Sequence, residues 1–297
     1  MRILTTISDM TRVGIVIDLE TGETEVVPSR PEFIEPAVTG RPGCRPFGIT
    51  WSEDELFIAN NKQLLVFDKQ LDFVRRSTTQ LQINIHQLAY KDGRVWAVSP
   101  WTNSLIGVCR NDAVASVEFD IPSQEVRPYL QREASEADDK SHFNSLLWTG
   151  AYLFVAAHAF GGASFINRYD GITLQLDKVY RDAGSSIHGL AHDGDELFWI
   201  STKTGEIRSD SGYCLPLSRP GYARGFAVTS RYFIVATSEY LARGDRCAGD
   251  SWIQVIDRRQ GSIVNEICLV DSGSINELRL LDEYDYAHCV APFWNKP

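Results

Sequence analysis

The strongest constraint on the fold is an internal repeat. The stretches RPFGITWSEDELFIANNKQLLVFDK (45–69), HQLAYKDGRVWAVSPWTNSLIGVCR (86–110), HFNSLLWTGAYLFVAAHAFGGASFINRYD (142–170), HGLAHDGDELFWISTKTGEIRSD (188–210) and RGFAVTSRYFIVATSEYLARGDRCAGDSWIQVIDR (224–258) share one plan. Each opens on a polar residue and a short run of small and apolar residues, turns through Asp, Gly or Ser, and resumes as an apolar run ending in small residues. That pattern reads as two strands joined by a tight turn. A third strand follows, as in LLVFD, SFINRYD and IQVIDR, and then a weaker fourth, as in DFVRRS, AVASVEF, LQLDKVY and IVNEICL. The unit is a four-stranded antiparallel meander.

The units start roughly 35 to 55 residues apart, which brackets the about 40 to 50 residues of a propeller blade. Five units and the two chain ends make six blades. RILTTIS, GIVIDLE and ETEVV supply the second to fourth strands of a blade that lacks its first, and INELRLL supplies that first strand from the other end of the chain. Joining them closes the ring and removes two open sheet edges. The chain is therefore expected to be all-β, one propeller domain over residues 1–297, with six blades of four strands. The leftover segment DYAHCVAP keeps a seventh blade as the alternative. Length is compatible with one unit, since barrels and propellers reach this size as single domains. The long polar stretch 123–141 is interrupted by Pro128, which leaves room for no more than a turn or two of helix.

Composition narrows the partners. Hydrophobic residues make up 43% of the chain, with seven Trp, fourteen Phe and eleven Tyr to fill a core. A net charge of −10 opposes nucleic acid or an anionic membrane, both of which need a dense basic surface. MRILTTISDM lacks the apolar core of a signal peptide and no run of about eighteen apolar residues occurs, so the expected location is cytoplasmic. The six cysteines are scattered without a C-x-x-C pair, which reads as reduced structural thiols. The chain has no G-x-S-x-G, P-loop, H-E-x-x-H or post-strand G-x-G-x-x-G motif.

The blade pattern, without a recurring WD dipeptide or kelch double glycine, resembles the group of six-bladed propellers with degenerate repeats that includes NHL-repeat proteins, the SMP-30 and gluconolactonase lactonases and strictosidine-synthase-like enzymes. Resemblance to the lactonases implies a divalent ion held by acidic and amide side chains, with an Asp as base. Asn144, Asn276 and Glu277 match those residue types, whereas histidine and arginine fill the other positions.

In a propeller the innermost strands line a central channel. Their heads place Arg45, His86, His142 or Asn144, His188, Arg224 and Asn276 or Glu277 around one mouth. The ends of the second strands add Ser8, Asp9, Asn60, Ser99, His158, Ser201, Lys203 and Glu239, and the insertions 122–141 and 240–251 fall on the same face. Long loops there suit a covered pocket. Two chemistries fit. His86, His142 and His188 are candidate ligands of a divalent metal ion (Zn, Mn or Ca), with Glu277 completing the shell. Alternatively, His86, His188, His142 and Glu277 act as general acids and bases. In either case Arg45 and Arg224 hold an anion, and Asn144, Asn276, His158, Lys203 and Glu239 contribute to substrate binding.

A histidine at a strand head can equally bond a neighbouring carbonyl, and an arginine can satisfy exposed carbonyls. The leading expectation is an enzyme for a small anionic metabolite or sugar acid, by lyase, hydrolase or isomerase chemistry. The alternative is a non-catalytic propeller that binds a peptide, a partner protein or a small ligand, with Trp101, Phe160 and Tyr240 as aromatic contacts. His192 reads as structural and His288 is unassigned. The acidic cluster Glu133, Glu136, Asp138 and Asp139 reads as a solvated loop.

Overall fold

A computed structural model describes residues 1–9, 12–27, 46–60, 63–77, 85–100, 104–109, 117–120, 125–128, 141–159, 162–242 and 244–294. The described residues form six antiparallel sheets arranged as a six-bladed propeller. The innermost strands are Ile275–Leu280, Pro46–Trp51, Leu88–Lys91, Phe143–Trp148, Ile187–His192 and Tyr222–Val228, taken from the first blade to the sixth. Each packs against the next around the ring, and the sixth returns to the first. The first blade is made from both chain ends. Ile275–Leu280 pairs with Arg2–Ile7, which continues through Gly14–Asp18 to Thr24–Val27. The expected closure is therefore realised.

The apolar runs are continuous because each blade is buried on both faces, and the pleat sends alternate side chains to opposite neighbours. In the strand Tyr232–Ser238, Phe233 and Val235 pack toward the fifth blade, while Ile234 and Ala236 pack toward the first. In Tyr152–Ala157, Leu153 and Val155 meet the third blade and Phe154 and Ala156 meet the fifth. The core is thus a set of layers between blades. Among the described residues no helix is long and apolar enough to cross a membrane.

One feature departs from the expected plan, and the segment left unplaced in the sequence finds its position. The third blade has a fifth strand, Glu125–Pro128, on its outer edge against Val117–Asp120. Residues 125–128 of the insertion therefore extend a sheet, and Pro128 is tolerated because an edge strand has one side free of pairing. The segment after Leu280 is not a seventh blade. It crosses the end of the channel opposite the strand heads and caps the inner strands. Tyr286 N–H donates to Val228 O, His192 N–H donates to Tyr286 O, and the Trp51 indole donates to Ala291 O at 2.7 Å. Asp285 Oδ1 accepts from Val228 N–H at 3.0 Å, and Nε2 of His288 lies 2.8 Å from the Thr50 hydroxyl. These backbone groups would otherwise be buried without partners.

Convergence on one axis leaves little space between inner strands. Gly189 has φ +58°, and a Cβ there would lie 2.6 Å from Cβ of Phe226 on the next blade. Gly150 has ordinary φ and nothing within 4 Å of a built Cβ. Gly189→Ala should therefore lose about 2–4 kcal/mol in chemical denaturation, from left-handed backbone strain and overpacking. Gly150→Ala should stay within about 0.5 kcal/mol of wild type.

Candidate functional site

One register unites the strand heads. Phe47-Gly48-Ile49, His86-Gln87-Leu88, Asn144-Ser145-Leu146, His188-Gly189-Leu190, Arg224-Gly225-Phe226 and Asn276-Glu277-Leu278 occupy equivalent places on the six blades. Pairing with the second strand shifts there in the first, second, fourth, fifth and sixth blades. In the third, His86 N–H donates to Val98 O while Val98 N–H donates to Gln87 O, so one residue faces two. A β-bulge at each head bends the strand and re-aims its side chain. The six bulged residues surround a small cavity, of about 10 Å³, that Gln87, Ser145, Gly189 and Glu277 also line.

Among the described residues, three blades tie the head of the next through a strand-head carbonyl. Asn144 Nδ2 donates to Ile187 O at 2.7 Å, Thr202 Oγ1 donates to Ala223 O at 2.6 Å, and Asn276 Nδ2 donates to Pro46 O at 2.9 Å. Arg224 Nη1 donates to Asn276 Oδ1 at 3.2 Å. Gln87 spans further: its Oε1 accepts from Leu146 N–H at 2.7 Å and its Nε2 donates to Glu277 Oε2 at 2.8 Å.

Four imidazoles run in series along the rim. Phe47 stacks on His86 at 4.8 Å, His86 meets His142 at 4.9 Å, His142 stacks on His158 at 4.9 Å, and His158 meets His188 at 4.6 Å between ring centroids. His142 adopts φ +50°, an uncommon conformation for a residue with a Cβ. Its carbonyl accepts from His158 N–H.

The tautomer of His188 follows from its partners. Nδ1 lies 2.8 Å from Thr202 Oγ1 and 3.1 Å from Ser186 O. Thr202 spends its hydroxyl hydrogen on Ala223 O, and Ser186 O is only an acceptor, so Nδ1 carries the proton. Nε2 is then a lone pair in a buried wall of the cavity, and no protein donor reaches it among the described residues. Burial, with help from His158, Arg224, His86 and His142, holds the His188 pKa well below the ordinary value. Burial and the charges of His142, Arg224 and Lys203 do the same to His158. Both rings are neutral at neutral pH.

Below the rim sits a buried ionic pair. Glu277 Oε1 is 2.9 Å from Arg279 Nη1, and Arg279 also donates to Phe226 O and Leu278 O. Burial pushes the Glu277 carboxyl up to about 7, against the pull of Arg279 and Gln87.

Beside Arg224, Tyr222 stacks on Tyr240 at 4.2 Å and accepts from Arg246 Nη2 at 3.0 Å. Burial raises the Tyr222 phenol, but Tyr240, Arg246 and Arg224 outweigh it and lower the net value.

The structure sorts the expected residues. His86, Asn144, His188, Arg224 and Asn276 are gathered at the ring, with Glu277 one step deeper. His142 lies beside the ring, because Asn144 takes its blade's place. His158 joins the imidazole series. Lys203 is exposed and acts on His158 through its charge. Glu239 instead closes the 240–251 loop, its Oε2 accepting from Asp250 N–H at 3.0 Å. Ser8 accepts from Asn276 Nδ2. Ser99 and Ser201 are fully buried, as are Asn60 and Asp9 for all but a few per cent of their surface.

Arg45, Trp101, Phe160 and the acidic cluster 133–139 lie outside the described residues. Phe47 holds the place in the ring expected for Arg45. His192, at the other end of its strand, stacks on Phe154 at 5.4 Å. Among the described residues no group of three or more His, Cys, Asp or Glu side chains is placed to hold a metal ion. The expected ligands His86, His142 and His188 are not gathered as such a set, because His158 stands between His142 and His188 and the rings pack on one another. Sequence reasoning missed Thr202, Gln87, Ser145, Tyr222 and Arg246. Only Tyr222 carried a signal, its place two residues before Arg224.

No family model matches the chain, and no curated protein matches it. Solved structures do resemble it. A chain of the nidogen/laminin complex aligns with a TM-score of 0.63 at 8% identity, covering 93% of this chain and 96% of that one. A protein of unknown function from Bacteroides caccae aligns with a TM-score of 0.57 at 10% identity, covering 93% and 97%. These likenesses share the architecture.

The raised carboxyl gives a signed pH prediction. A Glu277 held near 7 when folded, above the ordinary carboxylate value, stabilises the fold in acid and loses that contribution as pH rises toward 7. Glu277→Gln mimics the protonated form. Its stability relative to wild type should improve by ~1–3 kcal/mol between pH 5 and pH 8 in urea unfolding. A constant difference would show that Glu277 is ionised throughout.

Proposed function

We propose that the channel mouth binds a small anionic metabolite or sugar acid and that His188 moves a proton on it. The observation that carries this reading is the fixed Nδ1–H tautomer of His188, which leaves a neutral, unpartnered Nε2 lone pair on a ring that lines the cavity with Arg224. A general base needs a held tautomer and a free lone pair. Arg224 and Lys203 supply positive charge on an otherwise acidic chain, which concentrates an anion there. Proton removal beside a carboxylate, or from an attacking water, is the opening step of lyase, isomerase and hydrolase reactions alike. His86, His142 and His158 extend the imidazole series, and Asn144, Asn276 and Glu277 shape the wall. The reading uses the histidines for acid–base chemistry and keeps only the architecture of the lactonase-like group.

A second reading draws on Tyr240, which is 69% exposed and stacks on Tyr222 at the rim. It makes the mouth a non-catalytic recognition surface for a peptide, a partner protein or a small ligand.

A thermal-shift and calorimetric screen of small carboxylates and phosphates tests the proposal. Hits should weaken by roughly ten- to a hundredfold in Arg224→Gln, the usual cost of a charge-assisted contact. Turnover of a hit should fall about 10²- to 10⁴-fold in folded His188→Phe and should survive treatment with EDTA. Hits that bind independently of Arg224 would sink the anion reading. Binding without any His188-dependent turnover would favour the recognition surface.

A further inference from the structure

Two buried acceptors in the same cavity wall lack a donor. His188 cannot donate through Nε2, because its single ring proton is held on Nδ1 by Thr202 and Ser186. Asn144 cannot turn its amide, because Nδ2 must face Ile187 O, an acceptor, at 2.7 Å. Its Oδ1 therefore accepts only. Both side chains are more than nine-tenths buried, and among the described residues neither Nε2 of His188 nor Oδ1 of Asn144 has a hydrogen-bond partner. Buried acceptors of this kind are costly unless something supplies a hydrogen.

We infer that the ligand of this mouth is a hydroxyl-bearing carboxylate, a hydroxy acid or sugar acid, whose hydroxyl enters the cavity and donates its one hydrogen to His188 Nε2, leaving Asn144 Oδ1 as an acceptor for a second hydroxyl or a water. This rests on the reading of the mouth as an anion site and fixes which end of the ligand goes where. The cavity of about 10 Å³ has room for one water-sized group, which admits a hydroxyl and excludes a carboxylate. A carboxylate would also meet two acceptors and be repelled. The anionic end must therefore lie outward, toward Arg224 and Lys203.

An ammonium group could donate as well, but the surrounding charge opposes it. Arg224 and Lys203 are cationic, and the carboxylate of Glu277, which faces the cavity, is matched by Arg279 at 2.9 Å. His86 and Gln87 complete the wall without adding a negative charge. A neutral O–H donor meets His188 Nε2 without bringing a charge into the cavity.

The test pairs carboxylates that differ by one hydroxyl, lactate with propionate and malate with succinate, in titration calorimetry on the wild-type protein. The hydroxylated member should bind roughly tenfold or more tightly, the discrimination expected when a buried acceptor is otherwise left unmet. In His188→Phe, checked for folding by circular dichroism, that ratio should shrink to about two or less. In Arg224→Gln both members should weaken while the ratio persists. Equal binding within each pair in the wild type would overturn the hydroxyl inference and leave the anion reading standing. Failure of both members of every pair to bind would overturn both. Alanine binding as tightly as lactate would replace the hydroxyl with an ammonium and overturn the inference.

Discussion

Everything at the mouth depends on a steric constraint, the convergence of six inner strands on one axis. Near the axis adjacent strands are so close that a Cβ at Gly48 would lie 2.4 Å from the backbone nitrogen of Leu88, and one at Gly225 would lie 2.8 Å from Cβ of Leu278. Regular strands cannot continue through such crowding with a side chain at every step. A bulge at each head relieves it by turning one residue into the channel and following it, in half the blades, with glycine. The ring of Phe47, His86, Asn144, His188, Arg224 and Asn276 is the consequence. The same distortion leaves strand-head carbonyls unpaired in the ladder, and Asn144, Thr202 and Asn276 satisfy them from the preceding blade.

Those satisfying bonds also set the chemistry. Thr202 is needed to hold the sixth blade's head, so its oxygen is left to accept from His188, and the proton of His188 stays on the side away from the cavity. Packing keeps His188 and His158 neutral, since burial disfavours the charged ring and Arg224 adds to the effect. The deeper Glu277–Arg279 pair supplies polar support across the channel through Gln87. At the opposite end the C-terminal segment closes the channel, with Asp285 and His288 fully packed against the ends of the inner strands.

The fold was legible because its causes are local and repeated. Apolar runs broken by Asp-Gly turns, recurring at blade spacing, defined the meanders, and the orphan strands at each end required a shared blade. Most ring members were legible too, since a polar residue ahead of an apolar run marks each head. Phe47 was not, because an apolar residue in that place carries no such mark, and the polar Arg45 two positions earlier drew the alignment to itself. His142 misled for the opposite reason, being polar but two residues ahead of Asn144. Thr202 and Gln87 act across blade boundaries, and no spacing in the chain encodes which carbonyl or carboxylate they will meet. The segment 285–292 looked like a strand because it alternates. Its partners are strand ends, so it caps the sheets without extending them.

The most direct test of this account is the protonation state of His188, read from long-range ¹H–¹⁵N correlations of the imidazole nitrogens in labelled protein at neutral pH, assigned by comparison with His188→Phe. The account predicts a neutral ring with the proton on Nδ1 and an unprotonated Nε2, unchanged on mild acidification. A proton on Nε2, or an imidazolium near neutrality, would contradict it, because the cavity would then present a donor where the bonding of Thr202 requires an acceptor.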